Sequence, residues 1–353
     1  MASVDMALYN DSRRNTFSQT LKRTEKKRSF YIQMITWGLV GNSHDASIAV
    51  WNNKLLYATK TVREDHNREL FDTTKSLYGN PDEIVWYERP FLKTLRQLQA
   101  GQGWLYKQNN IKHYLAARGI EGVPIYYVDH HFSHAAYAYY TQPHDDCAVI
   151  CLDSIGEFET LTVWHGQNGK LKKLYSQGYP HSLGLFYSAM TQRMGFTPQR
   201  DEYLVAQHAA AGDPYRLFYD VYNDFFYTKE PNVFNQLVLV KPRVKLKHNL
   251  HRGCLWWRPE LNTVQDIADI GAATQKVFEY FVKQLSNWAH WRTGAKTLAL
   301  SGGGALNRQA VDKIRSDWET VWVPPNPGDP GSSIGCILAR NKTRIANVIE
   351  VWK

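Results

Sequence analysis

The chain has 353 residues, 43% of them hydrophobic and 21% charged, enough to bury a sizeable core in one or two globular domains. Lysine and arginine outnumber aspartate and glutamate by 42 to 33, a formal net charge of +9, which favours anionic partners such as nucleotides or nucleic acid. No apolar run approaches the ~20 residues of a membrane helix and no secretory apolar segment opens the chain, so the expected setting is cytoplasmic with no membrane partner.

Residues 1–30 carry Arg13, Arg14, Lys22, Arg23, Lys26, Lys27 and Arg28 against three acids. They read as a basic arm, with a solvated tail and a phosphate-contacting arm as equal alternatives. Residues 31–145 are expected to form a first half. Residues 146–353 are expected to form a second, with a basic insertion near 215–260. From Tyr31 the apolar run to Val40 predicts a strand; GNSHDA is a loop, SIAVW a strand, Asn52–Asn53 a turn and KLLYATK a strand. The same order returns after Cys147 in CAVICLD, SIGEFET, LTVW, the turn HGQNG and KLKKLY. Val50-Trp51, a turn and Lys54-Leu55 are echoed by Val163-Trp164, a turn and Lys170-Leu171. This predicts an internal duplication and an α/β class: a duplicated actin-like fold of the sugar-kinase and Hsp70 type, two halves around a cleft.

Further along, DEIVW at 82–86 predicts a strand, and 91–100 and 183–194 predict helices. Residues 264–291 predict a long amphipathic helix, with Ile267, Ile270, Val277, Phe278, Phe281 and Leu285 near helical spacing. LALSGGGALN predicts strand, glycine turn and helix start. VWVPPNPGDPGSSIGCILA closes with a strand, a turn and a helix. Cys147, Cys151, Cys254 and Cys336 lack paired metal or redox spacing and read as buried free thiols.

Chemistry concentrates in DHHFSHAAYAYYTQPHDDCAVICLD. His130 and His134 stand four apart before a small-residue run, so a helix puts both rings on one face. Asp153 ends the apolar run CAVICL, where a carboxylate needs a partner. A metal held by His130, His134 and Asp153 satisfies all three, and mixed N/O ligation suits Fe(II), Zn or Mn. His131 points elsewhere. Two ordinary polar helix residues are the plain alternative. Asp329, inside PGDPGSS, is either a helix N-cap or a fourth ligand. His44-Asp45 lies in the loop that corresponds to Asp153; His44 is a general base or a turn histidine. Gly302, Gly303 and Gly304, before Asn307, allow close approach of an anion to a helix start, though a tight turn explains them as well.

GNSHDASIAV, YERPFLKTLRQL, DHHFSHAAYAYY, LDSIGEFET, PHSLGLFYSAMTQRMGF, DIADIGAATQKVFEY, LSGGGALN and PPNPGDPGSSIG stand in this order. Together they resemble the O-carbamoyltransferase family of nodulation-factor and antibiotic carbamoyltransferases, from about Gly38 to Arg340. That family is similar in turn to the universal tRNA threonylcarbamoyl-adenosine transferases, which share the actin-like fold. The resemblance implies metal ligation by His130, His134, Asp153 and Asp329, with Fe(II) foremost. It implies adenylate binding at Ser182, Leu183, Gly184, Gly303, Gly304 and Asn307, and His44 as base toward an acceptor hydroxyl. The implied cofactors are a divalent metal, ATP or carbamoyl-adenylate, and carbamoyl phosphate. Three departures stand out. The sequence closes at Lys353, so the expectation is the first domain without the carbamoyl-adenylate-forming second one. Arg63, His66 and Arg68 stand in TKTVREDHNREL, where the family has a lysine. EYLVAQHAAAG keeps Glu202 and Val205 but has Leu204 where a lysine is common.

The expected reaction is carbamoyl transfer to a hydroxyl. Between Lys241 and Arg258 the chain has six Lys or Arg, two His and no acid. Lys241, Arg243, Lys245 and Lys247 alternate, and Trp256 and Trp257 follow, a layout for nucleic acid or for a guarded sheet edge. The main reading is a DNA partner whose acceptor is a flipped-out 5-hydroxymethylcytosine, in a virus with modified DNA and so in the host-cell cytoplasm. The alternatives are a small-molecule hydroxyl, transfer to a tRNA amine, and a non-catalytic nucleotide-binding module.

Overall fold

The structure, a computed structural model, describes residues 34–61, 67–227, 239–240 and 250–353. The basic arm at 1–30, Arg63, His66, Lys241, Arg243, Lys245 and Lys247 lie outside the described residues. Three strands start the first sheet: β1 (Thr36–Val40), β2 (Ala46–Asn52) and β3 (Lys54–Thr61), antiparallel in succession. Asn53 makes the β2–β3 turn with φ 55°, a conformation that asparagine tolerates better than most residues. After α1 (Asn67–Tyr78) come β4 (Glu83–Trp86), α2 (Pro90–Gln99), α3 (Ile111–Ala116) and β5 (Ile125–Tyr127). β4 lies parallel to β1 and β5 parallel to β4, giving the order β3-β2-β1-β4-β5.

α4 (His130–Tyr140) then leads to a second sheet. Its meander is β6 (Cys147–Gly156), β7 (Glu159–Gln167) and β8 (Lys170–Gly178), with Asn168 and Gly169 at the second turn. Four helices follow: α5 (Leu183–Arg193), α6 (Glu202–Ala209), α7 (Pro214–Phe225) and α8 (Val264–Thr293). A short ribbon of β9 (Phe226–Tyr227) and β10 (Leu239–Val240) lies between the last two. β11 (Thr297–Ser301), α9 (Arg308–Ile314), β12 (Thr320–Trp322), α10 (Ser332–Asn341) and α11 (Val348–Val351) complete the chain. The second order is β12-β11-β6-β7-β8, with β11 parallel to β6 and β12 parallel to β11. This repeats the first sheet strand for strand, as the duplicated turns predict, and the architecture is the expected two-lobed actin-like fold.

Local chemistry explains the boundaries. α8 starts at a capping box, in which Thr263 Oγ1 accepts from the Asp266 amide and Asp266 accepts from the Thr263 amide; it stops at Gly294, φ 66°. Every residue from Cys147 to Asp153 is buried, and the strand serves two cores. Ala148, Ile150 and Leu152 join the α5–α8 side, whereas Cys147, Val149 and Cys151 join the side made by α4, α10 and the first sheet. The four cysteines are free and buried. Among the described residues no helix is long and apolar enough to cross a membrane.

Two expectations change. β6 does not end at Asp153; it continues through a register irregularity to Gly156, and the turn falls at Glu157–Phe158. The flanks of the expected basic insertion belong to the core: Leu217, Val221 and Phe225 of α7, and Leu250, Cys254 and Trp257, pack under α8.

α4 and α10 pack directly, with a close approach at Gly335, where a Cβ would lie 2.1 Å from the Ser133 carbonyl oxygen. Gly335→Val forces these helices apart. It should cost about 3 kcal/mol, read as a lowered denaturation midpoint.

Candidate metal centre

α4 is buried along nearly its whole length, so its polar residues must find partners inside the protein. His130 and His134, one turn apart, bring their Nε2 atoms to 3.1 Å of each other. Asp153 Oδ2 lies 3.1 Å from His130 Nε2. Asp329 Oδ1 lies 3.3 Å from His130 Nε2 and 3.5 Å from His134 Nε2. One ligand atom from each of the four residues falls within 4.8 Å of all the others. The elements supplying them are the start of α4, the irregular part of β6 and the turn before α10. Asp329 is not the N-cap of α10; it opens a 3-10 turn over Asp329–Gly331 and makes no capping bond.

An outer contact prepares His134 as a ligand, whereas the buried Nδ1 of His130 makes no hydrogen bond among the described residues. Ser301 Oγ gives its single proton to the Pro327 carbonyl at 3.0 Å, so at 3.2 Å it accepts from His134 Nδ1. That fixes the proton on Nδ1 and leaves the Nε2 lone pair aimed at the cluster. His131 faces away, with Nδ1 3.0 Å from Thr162 Oγ1, and burial holds its pKa well below the imidazole range. Burial disfavours charge on His130, but Asp329 and Asp153 outweigh it and raise its pKa well above the usual value. Burial also works against the carboxylates, yet the His130 hydrogen bond brings Asp153 down to about 2, and the same imidazole draws Asp329 well below its ordinary range. Two carboxylates and two imidazoles at this spacing offer a mixed N/O donor set that could hold a divalent cation.

Beside the cluster, the loop after β1 carries His44 and Asp45, Nε2 to Oδ2 3.5 Å, with the His44 side chain 49% exposed. Burial raises the Asp45 pKa, countered by His44. The sequence reading missed how this loop is held. Lys93 and Glu88 form a buried ion pair at 2.7 Å, and Lys93 Nζ also donates to the Asn42 carbonyl at 2.9 Å. Ser47 Oγ donates to the Pro330 carbonyl at 2.7 Å, which ties β2 to the Asp329 turn. The signal was present in YERPFLK, where a cation follows an acid by five residues on a half-buried helix start. Ser301 was likewise legible as a hydroxyl at a strand end before a glycine turn.

The glycine turn serves Asp153 more than an open cradle. Gly302, φ 88°, lies over the Leu152 carbonyl and gives its amide to Pro327 at 2.7 Å. The Gly303 amide donates to Asp153 Oδ1 at 3.3 Å, and Gly304 packs on the Leu152 side chain. Asn307 caps α9 through the Ala310 amide and forms a two-way amide pair with Gln275, at 2.9 and 3.0 Å. Ser182 caps α5 and donates to the Ser154 carbonyl at 2.7 Å. Gly184 lies against the Asp153–Ser154 backbone, and the Leu183 side chain is in the core rather than facing a ligand. Glu202 accepts from Ser188 Oγ at 2.8 Å. Ser182, Gly184 and the glycine turn therefore surround the later part of β6, and the side chains of Glu202 and Asn307 are engaged with Ser188 and Gln275.

Trp257 corrects the nucleic-acid layout. It is 2% exposed and its Nε1 donates to Asp224 at 3.0 Å, so its ring is core and offers no stacking face. Trp256 is 43% exposed and lies against Phe225, ring centroids 5.9 Å apart.

His134→Ala should strip the protein of its divalent metal, read by elemental analysis, while its circular dichroism stays native. Metal must displace the proton that the carboxylates hold on His130, so retention should rise with pH and fall on acidification, starting above the pKa of a free imidazole. Full metal content in His134→Ala would remove this residue from the ligand set.

The chain is similar in sequence to several known proteins. It is 31% identical over 289 residues to an uncharacterised protein of Synechocystis sp., covering 73% of this chain and 47% of that one. It is 26% identical over 222 residues to the nodulation protein NolNO of Sinorhizobium fredii, covering 61% and 31%. The chain thus spans about half the length, or less, of these curated relatives. The T. kodakarensis HypF crystal structure aligns over 91% of this chain and 49% of its own, with a TM-score of 0.51 at 14% identity, a likeness of fold. Residues 23–338 match the family model described as "Carbamoyltransferase N-terminus", and the chain belongs to that family.

Proposed function

We propose that the chain transfers a carbamoyl group to the hydroxyl of a small molecule. The observation that carries this is the convergence of two imidazoles and two carboxylates, beside an exposed histidine, in a chain of this family. The donor is carbamoyl-adenylate, formed from carbamoyl phosphate and ATP. His44 takes the acceptor's hydroxyl proton on its imidazole as the oxygen attacks the carbamoyl carbon. A C–O bond forms, the bond from that carbon to the phosphate oxygen breaks, and AMP leaves with the electron pair. Asp45, 3.5 Å from His44, orients the ring and stabilises its charge. His130, His134, Asp153 and Asp329 would hold a divalent cation, Fe(II), Zn or Mn, which would supply Lewis-acid chemistry there. The Lys93–Glu88 pair keeps the His44 loop against the cluster, and burial around the ligands limits water that would hydrolyse the mixed anhydride.

A small acceptor fits the described residues better than DNA. The family is one of carbamoyltransferases, and Trp257, buried and hydrogen-bonded to Asp224, is unavailable for stacking on bases. Transfer to DNA hydroxymethylcytosine predicts a carbamoylated base instead.

The protein is incubated with carbamoyl-adenylate, or with carbamoyl phosphate and ATP, together with small hydroxyl compounds or hydroxymethylated DNA. Mass spectrometry should find one added carbamoyl group on a small hydroxyl compound. His44→Ala should lower the rate by about a hundredfold or more at unchanged metal content. Transfer confined to hydroxymethylated DNA, or none to any hydroxyl, overturns the reading.

A further inference from the structure

The turn that brings Asp329 to the metal centre has little means of holding itself. In VPPNPGDPG, Pro324, Pro325, Pro327 and Pro330 have no amide proton to donate, and Asn326 sits at φ 51°. The carbonyls of the turn are held from outside instead. Pro327 accepts from the Gly302 amide at 2.7 Å and from Ser301 Oγ at 3.0 Å. Pro330 accepts from Ser47 Oγ at 2.7 Å and from Ser333 Oγ at 2.9 Å. Pro325 accepts from Tyr137 Oη at 2.5 Å. Tyr137 is fully buried on α4, one turn after His134. Its ring also backs Gly331, where a Cβ would fall 2.4 Å from it. One phenol therefore meets the turn both before and after Asp329.

A second donor orients that phenol. Trp352 Nε1 lies 3.0 Å from Tyr137 Oη. An indole can only donate, so the phenol oxygen accepts from it and the one hydroxyl proton is left for Pro325. The segment that carries Trp352 is itself tied down. Past α10, Arg344 donates from Nη1 to the Tyr139 and Gln142 carbonyls at 3.1 and 2.7 Å, and the Ile345 amide donates to the Tyr140 carbonyl at 2.9 Å. These bonds satisfy carbonyls at and just past the end of α4, which the helix itself leaves open. After α11, Trp352 pairs in parallel with Ala58 of β3, and the Lys353 amide donates to the Ala58 carbonyl at 2.9 Å. The strap 342–353 thus runs from the end of α4 to the edge of the first sheet, and its indole packs on the core around α4.

We propose that Trp352 is a positioning residue of the metal centre: acting through Tyr137, it sets the turn that presents Asp329. The relay runs from the Trp352 indole N–H to Tyr137 Oη, and from the Tyr137 hydroxyl to the Pro325 carbonyl. Trp352 touches neither a candidate ligand nor a substrate. Filling the core needs only its ring; orienting the phenol needs its N–H. Without that N–H, a buried phenol oxygen keeps an unfilled acceptor and its proton is no longer directed at Pro325. The turn then loses an oriented donor that its own prolines cannot replace. A donor set must be held to within about 0.5 Å, so a loosened turn costs metal affinity before it costs the fold. For its effect on metal the proposal rests on the reading of this centre as a metal site; for its effect on the turn it does not.

The test uses the full chain with two readouts. In the metal-free protein, amide exchange by NMR follows Gly302 and Gly331, whose N–H groups bond to the Pro327 and Gly328 carbonyls. Zinc(II) affinity is read by competition with a chromophoric chelator. Trp352→Phe, which keeps a ring and removes the N–H, should speed exchange at both amides and weaken zinc binding about tenfold. Tyr137→Phe should do at least as much. The double variant should be no worse than Tyr137→Phe alone, because both residues act through one relay. Val351→Ala loosens the same strap but keeps the indole, so it should lower the melting temperature and leave zinc affinity unchanged. Melting temperature verifies that each variant is folded. Unchanged exchange in Trp352→Phe overturns the relay, as does unchanged zinc affinity in that variant when the wild type binds zinc. Losses that add in the double variant, or an equal loss of affinity in Val351→Ala, overturn it too. A wild type that binds no zinc, with faster exchange in Trp352→Phe, sinks the metal reading and leaves the hold of Trp352 on the turn standing.

Discussion

Helix α4 has no face to give to water, and the rest of the molecule is arranged around that constraint. Its residues from Ser133 to Tyr140 are buried, and a helix covered on every side needs neighbours on every side. α10, which packs on the first sheet in turn, covers one flank; β6, β7 and β11 cover the other. Two imidazoles at the head of such a helix are costly to desolvate alone. Asp153 and Asp329, brought in from β6 and from the turn before α10, offset that cost by charge and by hydrogen bonding. The site is thus a consequence of how the centre of the fold is closed.

The surrounding contacts follow a division by purpose. Ser301 and Pro327 orient His134; the Gly303 amide orients Asp153; Thr162 draws His131 out of the cluster. The Lys93–Glu88 pair is buried, so breaking it would leave one charge unpaired in the interior. It holds a backbone carbonyl of the His44 loop and acts through position rather than by touching a substrate.

Much of this was legible in the sequence because it rests on periodicity. The four-residue spacing of His130 and His134, the apolar run before Asp153 and the repeated strand–turn–strand grammar each report a local geometry that tertiary packing preserves. Asp329 was legible only as one of two alternatives, since a carboxylate before a helix caps far more often than it ligates. What stayed hidden depends on contacts between distant segments. No local pattern says that β6 bends past Asp153, that the Gly302 and Gly303 amides are already used inside the protein, or that Trp257 turns inward to Asp224 while Trp256 remains half outside. The tryptophan pair misled because composition registers aromatic content and is silent about which way each ring points.

The double service of β6 bears on how the molecule comes apart. Alternate side chains of one strand fill two different cores, so neither core keeps its wall when the other opens. The two halves repeat each other in topology, yet they share the wall that β6 makes. Opening either core should therefore loosen the other, and the amides of β6 should be among the last to exchange with solvent, because their opening requires both cores to be lost together.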